Sequence, residues 1–375
     1  MPDKMTFCAP CLLGIEGLAA EEFRELGCEA VRAENGRVVF EGDYSTLARA
    51  NLNSRYAERI LVLLGEFRAL SFEELFQGVK TLPWEAFLQR EDTFPVTGSS
   101  LSSQLHSVPD CQAIIKKAVV ERLKERYRLS WFPETGPLHR IKFRILKNQV
   151  SVMLDTSGEG LHKRGYRRES TAAPIKETLA AALCKLARVR PDGNVIDPFC
   201  GSGTLLIEAA LLASNRAPGL GRRFLAETWK DAEPGLWKTE RERAEDLIRR
   251  DAVFHASGYD IDPTAVALTL ENAKKAGVAG FVKAEKREIE GFSSEDKYGC
   301  VVCNPPYGER LLDLEAAEKI YRTLGRVFQQ KPGWSYGIIT PDEDFEKLFG
   351  RKADKRRKLY NGMIKCQFYQ YFKNR

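Results

Sequence analysis

The chain has 375 residues, 43% of them hydrophobic, so it is long enough for two or three domains with separate cores. No apolar run approaches the roughly 18 residues that a membrane-spanning helix needs, which excludes a transmembrane helix and a membrane partner. Residues 1–12 lack the charged-then-apolar order of a secretion signal, so we expect a cytoplasmic protein.

The net charge of +6 is spread unevenly along the chain. Residues 101–168 hold 14 Lys and Arg against 6 Asp and Glu, and residues 351–375 hold 9 against 1. Basic segments of this kind can bind a phosphate backbone, although a solvated helix face is the commoner origin of any single run.

Two cysteine pairs, Cys8/Cys11 and Cys300/Cys303, have the two-residue gap of a zinc half-site. Residues 300–303 form an apolar run typical of a buried strand, in which positions three apart point to opposite faces. No histidine lies near either pair in sequence. We therefore expect reduced cysteines and no metal.

The N-terminal half predicts two small α/β units. In the first, helices at 17–26 and 44–52 flank a strand at 37–40. In the second, the pattern predicts strands at 59–64, 139–146 and 149–155 and helices at 71–82 and 110–126. The last helix turns Lys116 and Lys117 outward, and we expect both to contact nucleic acid. This helix could form a basic surface together with Arg140, Lys142, Arg144 and Lys147; ordinary solvated charges are the alternative.

A glycine-punctuated segment, 158–168, follows these units. It carries a tyrosine among four Arg and Lys residues, which is the composition of a linker that touches nucleic acid. The expected contacts are Arg164, Tyr166 and Arg167.

The C-terminal half predicts a helix at 173–183, a strand at 193–197 and then the turn Pro198-Phe199-Cys200-Gly201-Ser202-Gly203-Thr204, which runs into an apolar helix at 205–213. Strand, glycine turn and helix form the nucleotide-binding corner of a doubly wound sheet. Glycines let the backbone pass close to a ligand, and the helix N-terminus favours a carboxylate. Thr204 follows Gly203 where a phosphate-binding loop would have lysine, which argues against ATP.

Acidic residues follow the next two predicted strands. Asp260 ends the second strand, where a ribose diol is bound in such sheets, while Asp262 could cap the following helix at 265–276 instead. Glu288 follows a third strand near 281–284, at the place of an adenine. The insertion at 214–256 is charged and helical in pattern, with no function that we can assign.

The sequence Asn304-Pro305-Pro306-Tyr307 follows the apolar strand 300–303. It is the tetrapeptide of enzymes that methylate an exocyclic amino group. The Asn304 side-chain oxygen and the Pro305 carbonyl can each accept one N–H of the amine, which favours a pyramidal nitrogen with its lone pair aimed at a methyl donor. Pro305 and Pro306 make the turn rigid, and Tyr307 offers a ring on which an extruded base can stack. A strand that merely ends in a Pro-Pro turn is the alternative.

A strand at 336–340 and a hairpin around Asn361-Gly362, with strands at 358–360 and 363–372, end the chain. The basic run before this turn contains Arg356 and Arg357, which we expect to contact phosphates beside the active site; a solvated loop is equally compatible with the pattern.

These motifs, with Leu161-His162-Lys163-Arg164-Gly165-Tyr166-Arg167 upstream, resemble the bacterial class I S-adenosylmethionine-dependent RNA methyltransferases that carry a THUMP domain, over nearly the whole chain. The resemblance implies an α/β fold: a Rossmann-like methyltransferase domain with a mostly parallel seven-stranded sheet and an antiparallel last strand, preceded by ferredoxin-like and THUMP α+β units. The implied bounds are 1–59 (ferredoxin-like), 60–157 (THUMP), 158–172 (linker) and 173–375 (methyltransferase).

The family's best-known activity is methylation of guanine N2 in 23S rRNA, with S-adenosylmethionine as cofactor. The resemblance implies that the cofactor is bound by Asp197, Phe199, Gly201, Gly203, Thr204, Asp260, Ile261 and Glu288. One departure is that the residue after the third strand, often Asp in related enzymes, is Glu288 here.

Three other functions share parts of this pattern: adenine-N6 methylation of DNA or RNA, methylation of a protein glutamine, and RNA binding without catalysis. Only 68 residues follow Tyr307, too few for the target-recognition region of a DNA amine methylase once the sheet is complete. That layout favours structured RNA, bound by shape and backbone with one base extruded. The basic segments disfavour a protein substrate, and the intact motifs disfavour a non-catalytic protein. The oligomeric state is left open.

Overall fold

The structure, a computed structural model, describes residues 3–167, 175–230, 234–292, 296–307, 311–328 and 333–372, with only the backbone of 311–313. Contacts divide the chain into two compact units: Met1–Cys11, Ala19–Leu161 and Arg223–Glu242 in the first, and Leu12–Leu18, His162–Arg222 and Arg243–Arg375 in the second. The predicted linker at 158–172 and the predicted helix at 173–183 lie partly outside the described residues.

The first unit is built on a seven-stranded sheet. Its strands are β1 (Met5–Pro10), β2 (Glu29–Glu34), β3 (Arg37–Gly42), β4 (Leu61–Arg68), β5 (Val96–Leu101), β6 (Ile141–Leu146) and β7 (Gln149–Asp155). Its helices are α1 (Glu16–Glu25), α2 (Tyr44–Asn53), α3 (Phe72–Lys80) and α4 (Val108–Tyr127).

The strand order of this sheet is β2-β3-β1-β4-β7-β6-β5, with neighbours antiparallel except the parallel pair β5 and β6. The apolar spacing of the sequence correctly predicts the helices, because their buried faces repeat every three to four residues. Strands β2 and β5 are missed, since Glu29–Glu34 and Val96–Leu101 are polar edge strands without an apolar alternation.

A segment of the long insertion belongs to this first unit. The Trp229 ring stacks on His139 with 4.5 Å between centroids, and its Nε1 donates to the Leu138 carbonyl at 3.0 Å. Tyr44 donates to the Ala226 carbonyl at 2.7 Å. The whole insertion has a 3₁₀ turn at Leu225–Thr228 and a helix, α7 (Leu236–Asp246), so its described residues are less helical than predicted.

The second unit is built on another seven-stranded sheet. Its strands are β8 (Asn194–Asp197), β9 (His255–Asp260), β10 (Val282–Lys286), β11 (Gly299–Cys303), β12 (Trp334–Thr340), β13 (Lys355–Asn361) and β14 (Ile364–Tyr371). Its helices are α5 (Glu177–Leu186), α6 (Thr204–Ala213), α8 (Pro263–Lys275), α9 (Leu311–Phe328) and α10 (Phe345–Phe349).

The strand order is β10-β9-β8-β11-β12-β14-β13, and strands β8 to β12 are mutually parallel. Strand β14 runs antiparallel to β12, as the predicted fold requires. The order reverses between β8 and β11, and in an open α/β sheet the crevice at such a reversal, beyond the carboxyl ends of the strands, is where ligands bind. Asp197 ends β8 and Asn304 follows β11, so the predicted cofactor corner and the tetrapeptide flank this crevice.

Candidate active site

A cavity of about 870 Å³ occupies the crevice of the second unit. It is lined by the glycine turn after β8, by the ends of β9 and β10, and by the tetrapeptide after β11. The turn of the β13–β14 hairpin completes the wall through Asn361, Gly362 and Ile364. The carboxyl ends of four strands and the hairpin turn therefore surround one site.

The glycine turn passes close to helix α8. Gly203 has φ +78°, and a Cβ at this position would lie 2.8 Å from Thr269 Cγ2, so only glycine fits. Thr269 Oγ1 donates to the Gly201 carbonyl at 2.9 Å, and Asn272 Nδ2 donates to the Ser202 carbonyl at 3.0 Å. These two α8 side chains hold the turn in place. Neither Thr269 nor Asn272 was predicted as a site residue; the available signal was their spacing of one helical turn on α8.

The Asp260 carboxylate is tied to the same turn. Its Oδ2 accepts the Gly201 N–H at 3.0 Å, and its Oδ1 accepts the Asp262 N–H at 3.0 Å. The Asp262 side chain caps helix α8 by accepting from Thr264 N at 2.8 Å, which is the alternative that the sequence left open. Asp260 therefore keeps a lone pair on each oxygen at the cavity wall, the arrangement that two ribose hydroxyls need.

Asp197 is buried at the end of β8, and it is 2% exposed. Burial, together with the negative charge of Asp260, raises its pKa to about 8, although the Phe199 N–H that it accepts acts in the opposite direction. A carboxyl in this position is poised to ionise when a cation, such as the ammonium or sulfonium of a bound ligand, lies beside it.

The other predicted cofactor residues also line the cavity, except Gly203, which shapes the turn behind it. Ile261 is 67% exposed, unusual for isoleucine and consistent with an apolar ligand surface. Glu288 is exposed at the rim after β10, and Phe199 is half-buried. Thr204 is buried, and its Oγ1 accepts from Arg167 Nη1 at 3.1 Å. The residues present fit an adenosyl cofactor: an acid for the ribose, an apolar wall and glycines for close approach.

The tetrapeptide places a polar acceptor at the cavity. Asn304 and Tyr307 are half-buried, Pro305 is buried and Pro306 is exposed. The Tyr307 hydroxyl donates to Asn304 Oδ1, and burial raises the pKa of this hydroxyl. A carbonyl oxygen has two lone pairs, so Asn304 Oδ1 can accept a second N–H from an incoming amine.

Three residues that support this turn were missed in the sequence. Tyr321 of α9 donates to the Pro306 carbonyl at 3.3 Å and shares a hydrogen bond with Thr340 Oγ1 at 2.9 Å. Asn361 Nδ2 donates to the Tyr307 hydroxyl at 3.4 Å. All three residues are distant from the tetrapeptide in sequence. The Asn361-Gly362 pair predicted a hairpin turn and gave no indication of a site.

The structure does not support RNA contacts by the linker residues. Tyr166 and Arg164 are 3% and 5% exposed, and both lie against Glu208, at 3.0 Å from the Tyr166 hydroxyl and 3.5 Å from Arg164 Nε. Arg167 pairs with the buried Glu177 at 3.1 Å. Cations and carboxylates neutralise one another in the interior, so these basic side chains support the fold behind Thr204.

The remaining predicted RNA contacts are partly engaged within the protein. Lys116 donates to Glu134 Oε1 at 2.6 Å and lies over the Phe94 ring, whereas Lys117 is exposed. Arg357 donates to the Gly14 carbonyl at 2.7 Å, and Arg356 lies 3.6 Å from Glu346 with half of its side chain exposed. Of these four predicted RNA contacts, Lys117 and Arg356 are exposed at the surface.

Within the described ranges, no three His, Cys, Asp or Glu side chains are grouped as metal ligands would be. The same part of the chain holds no helix long and apolar enough to cross a membrane.

A sheet of this order, with an acid, a glycine turn and an amine-orienting tetrapeptide at its crevice, defines a Rossmann-like S-adenosylmethionine-dependent methyltransferase. Comparison with known families gives the finer assignment. Residues 164–370 match the RMKL-like methyltransferase domain, residues 6–61 the RlmL ferredoxin-like domain and residues 69–155 the THUMP domain. The chain belongs to the RMKL-like methyltransferase family, which confirms the predicted resemblance and fold class.

Relatives of similar length support this membership. YpsC of Bacillus subtilis, named as a candidate RNA methyltransferase, is 44% identical over 98% of this chain and 96% of its own. A crystal structure from Listeria monocytogenes, described as a predicted N6-adenine-specific DNA methylase, is 45% identical with a TM-score of 0.94 and covers 99% of this chain and 97% of its own. SMU.472, a candidate methyltransferase solved with SAH, is 42% identical with a TM-score of 0.95 over the full length of both chains.

The chain also matches longer enzymes. The ribosomal RNA large subunit methyltransferase K/L of Pseudomonas aeruginosa is 34% identical over 98% of this chain but only 52% of its own length. The chain therefore spans about half the length of the K/L relatives that it matches.

Proposed function

We propose that the protein transfers a methyl group from S-adenosylmethionine to the N2 amine of a guanine in 23S rRNA. The observation that carries the proposal is the position of Asn304-Pro305-Pro306-Tyr307 at the end of β11, across the crevice from the glycine turn that follows β8. The cofactor, when bound, supplies an electrophilic methyl group on a sulfonium centre.

The chain's own residues would act by orientation. Asn304 Oδ1 and the Pro305 carbonyl accept the two N–H bonds of the amine, which directs its lone pair along the line of transfer. The Tyr307 ring stacks on the extruded base, and its hydroxyl holds the Asn304 amide with the oxygen toward the cavity. Asp260 binds the ribose hydroxyls, and Ile261 and Glu288 contact the adenine.

The proposal of an RNA substrate is supported by the THUMP match at 69–155 and by the names of the K/L relatives, which act on the large ribosomal subunit RNA. The excess of cations in residues 101–168 has the sign that a phosphate backbone requires. Guanine N2 is the family's best-known target, and an amine conjugated with its ring is what the tetrapeptide orients.

A second candidate is methylation of adenine N6. It is favoured by the description of the Listeria structure, whose protein is 45% identical to this chain. Adenine N6 is also an exocyclic amine conjugated with its ring, so the same two acceptors would orient it.

The test is incubation of the purified protein with methyl-labelled S-adenosylmethionine and, in parallel, unmodified rRNA, tRNA and genomic DNA, followed by nucleoside analysis. We expect label in N2-methylguanosine from rRNA. Label in N6-methyladenine would replace the guanine assignment by the second candidate. Label in no nucleic acid, from a protein that binds the cofactor, would contradict both.

A further inference from the structure

Two arginines contact a single buried carboxylate in the first unit, and a lysine follows on strand β6. Arg59 Nη1 donates to Asp155 Oδ2 at 2.7 Å, and Arg140 Nη1 lies 3.4 Å from the same oxygen. Lys142, two residues after Arg140, donates to Thr97 Oγ1 at 3.4 Å. We name Arg59, Arg140 and Lys142 the sheet-face cluster.

The charges of this cluster do not balance. Asp155 is fully buried, and it also accepts the backbone N–H groups of Ser157 and Gly158, each at 3.1 Å. Among the described residues, one carboxylate is therefore shared by two guanidinium groups, and Lys142 adds a third positive charge two residues after Arg140. The pKa of Lys142 is lowered, first by partial burial and then by the charge of Arg59, while Asp155 opposes the shift and Arg140 adds to it. A positive surplus of this kind is relieved when an anion binds.

The cluster lies on the side of the sheet opposite to its apolar core. On β6, Ile141, Phe143 and Ile145 are buried, while Lys142 and Arg144 alternate with them and are half-exposed. The neighbouring strands place hydroxyl groups on the same side, since Thr97 pairs with Lys142 and Ser151 pairs with Arg144. Lys142 and Arg144 therefore share this face with two hydroxyl groups: Thr97 Oγ1 accepts from Lys142 and keeps its own O–H to donate, whereas the Ser151 hydroxyl already donates to Glu66 Oε1.

We propose that the sheet-face cluster binds a backbone phosphate of the RNA substrate. This inference rests on the proposed RNA methyltransferase function, and it narrows the basic surface predicted from the sequence to one phosphate contact on the sheet. A guanidinium has five N–H donors, and the bonds described here use only Nη1 of each arginine, so both arginines can add a phosphate oxygen.

The test is the salt dependence of RNA binding, measured with the full chain, S-adenosylhomocysteine and a 23S rRNA transcript at a series of KCl concentrations. Lys142→Gln should weaken binding, and the slope of log K against log salt should fall by about 0.7 to 0.9, the value for one lost phosphate contact. Lys142→Arg should keep the wild-type slope. The matched control is Lys274→Gln, which removes one exposed charge from the last turn of α8 and should leave the slope unchanged. Lys117→Gln tests the alternative contact on the exposed face of α4.

A wild-type slope for Lys142→Gln would overturn the proposal, and a reduced slope for Lys117→Gln would return the contact to the helix face. Polyaspartate that displaces the transcript as effectively as a second RNA would also overturn it, because the surface would then select acidic polymers in general. Thermal melting of each variant separates lost binding from lost folding. This assay measures RNA binding without turnover, so a failure of this proposal is distinguishable from a failure of the proposed methyl transfer.

Discussion

At the residue scale, the Asn304 side chain is the most important for the proposed catalysis, because no other side chain of the tetrapeptide offers an amide oxygen to an amine. We expect Asn304→Ala to lower kcat by about 100-fold or more, the usual cost of removing one preorganised hydrogen-bonding group from a transition state. Its affinity for S-adenosylmethionine should stay at the wild-type value, since the cofactor residues lie on other strands. A rate within about threefold of wild type, about 0.7 kcal/mol, would contradict the role of Asn304.

A second residue-scale prediction concerns the chain of hydrogen bonds from Asn361 through Tyr307 to Asn304. If Asn361 acts on Asn304 through the Tyr307 hydroxyl, it is a positioning residue, and its effect must disappear when that hydroxyl is removed. We expect Tyr307→Phe and Asn361→Ala each to reduce kcat by several fold, and the double variant to be no slower than Tyr307→Phe alone. Additive losses in this double-mutant cycle would show that the two residues act independently.

Asp197 gives a prediction about pH. Its folded-state pKa of about 8 is higher than that of an unfolded aspartate, so the folded state binds the extra proton between pH 4 and 8. The contribution of this group to stability is therefore fully present below pH 4 and is lost as the pH rises through 8. Asp197→Asn should flatten this decline in the free energy of unfolding, measured by urea denaturation of the cofactor-free protein from pH 5 to 9. An equally steep decline in the variant would assign it to other groups.

At the scale of elements, the turn between β8 and α6 depends on glycine for two separate reasons. Gly203→Ala would place a Cβ 2.8 Å from Thr269 Cγ2 and force alanine into a left-handed conformation. We expect at least a tenfold loss of S-adenosylhomocysteine affinity by calorimetry. The matched control is Gly221→Ala, because its Cβ would meet no atom within 4 Å and its φ is not in the left-handed region. Equal affinities of the two variants would show that the turn does not shape the cofactor site.

Element prediction succeeded where one face of an element is buried, and it missed two of the four edge strands, β2 and β5. Strand β7 was predicted with its bounds correct, and α2 and α4 within two residues, because their apolar positions repeat with the period of the element. Strands β2 and β5 pair on one side only, so their sequences carry no alternating pattern. Predicted and observed ends of elements differ by a few residues where a capping side chain sets the end. Helix α8 begins at Pro263, before its predicted start at 265, because Asp262 caps it.

At the scale of the whole molecule, the first compact unit is built from segments that are not consecutive in sequence. Residues Arg223–Glu242 follow helix α6 of the second unit in sequence, yet they belong to the first unit. Trp229 holds this segment in the first unit, because its side chain is 2% exposed and stacks on the His139 ring. A fragment that ends at Leu161 would lack this anchor, so the compact unit is not a continuous piece of sequence.

Trp229→Ala should accordingly destabilise the first unit by about 3 to 5 kcal/mol, the range for loss of a buried large aromatic side chain. Trp131→Ala removes the same side chain from a position that is 72% exposed, and it should change the free energy of unfolding by about 0.5 kcal/mol or less. Chemical denaturation followed by circular dichroism measures both. Similar losses for the two variants would contradict the anchoring role of Trp229.

The sequence by itself determined the methyltransferase fold, because apolar periodicity, the glycine turn and the tetrapeptide are local patterns that each specify a backbone geometry. The same patterns indicated which residues line the crevice, since the carboxyl ends of parallel strands meet at one edge of a sheet. Only the tertiary structure decided which cations are available to a ligand. Whether a basic side chain is neutralised depends on carboxylates far away in the chain, as Glu208 neutralises Arg164 and a lone Asp155 leaves the sheet-face cluster in surplus. Charge pairing is a matter of distance in space, and composition along the chain does not record it.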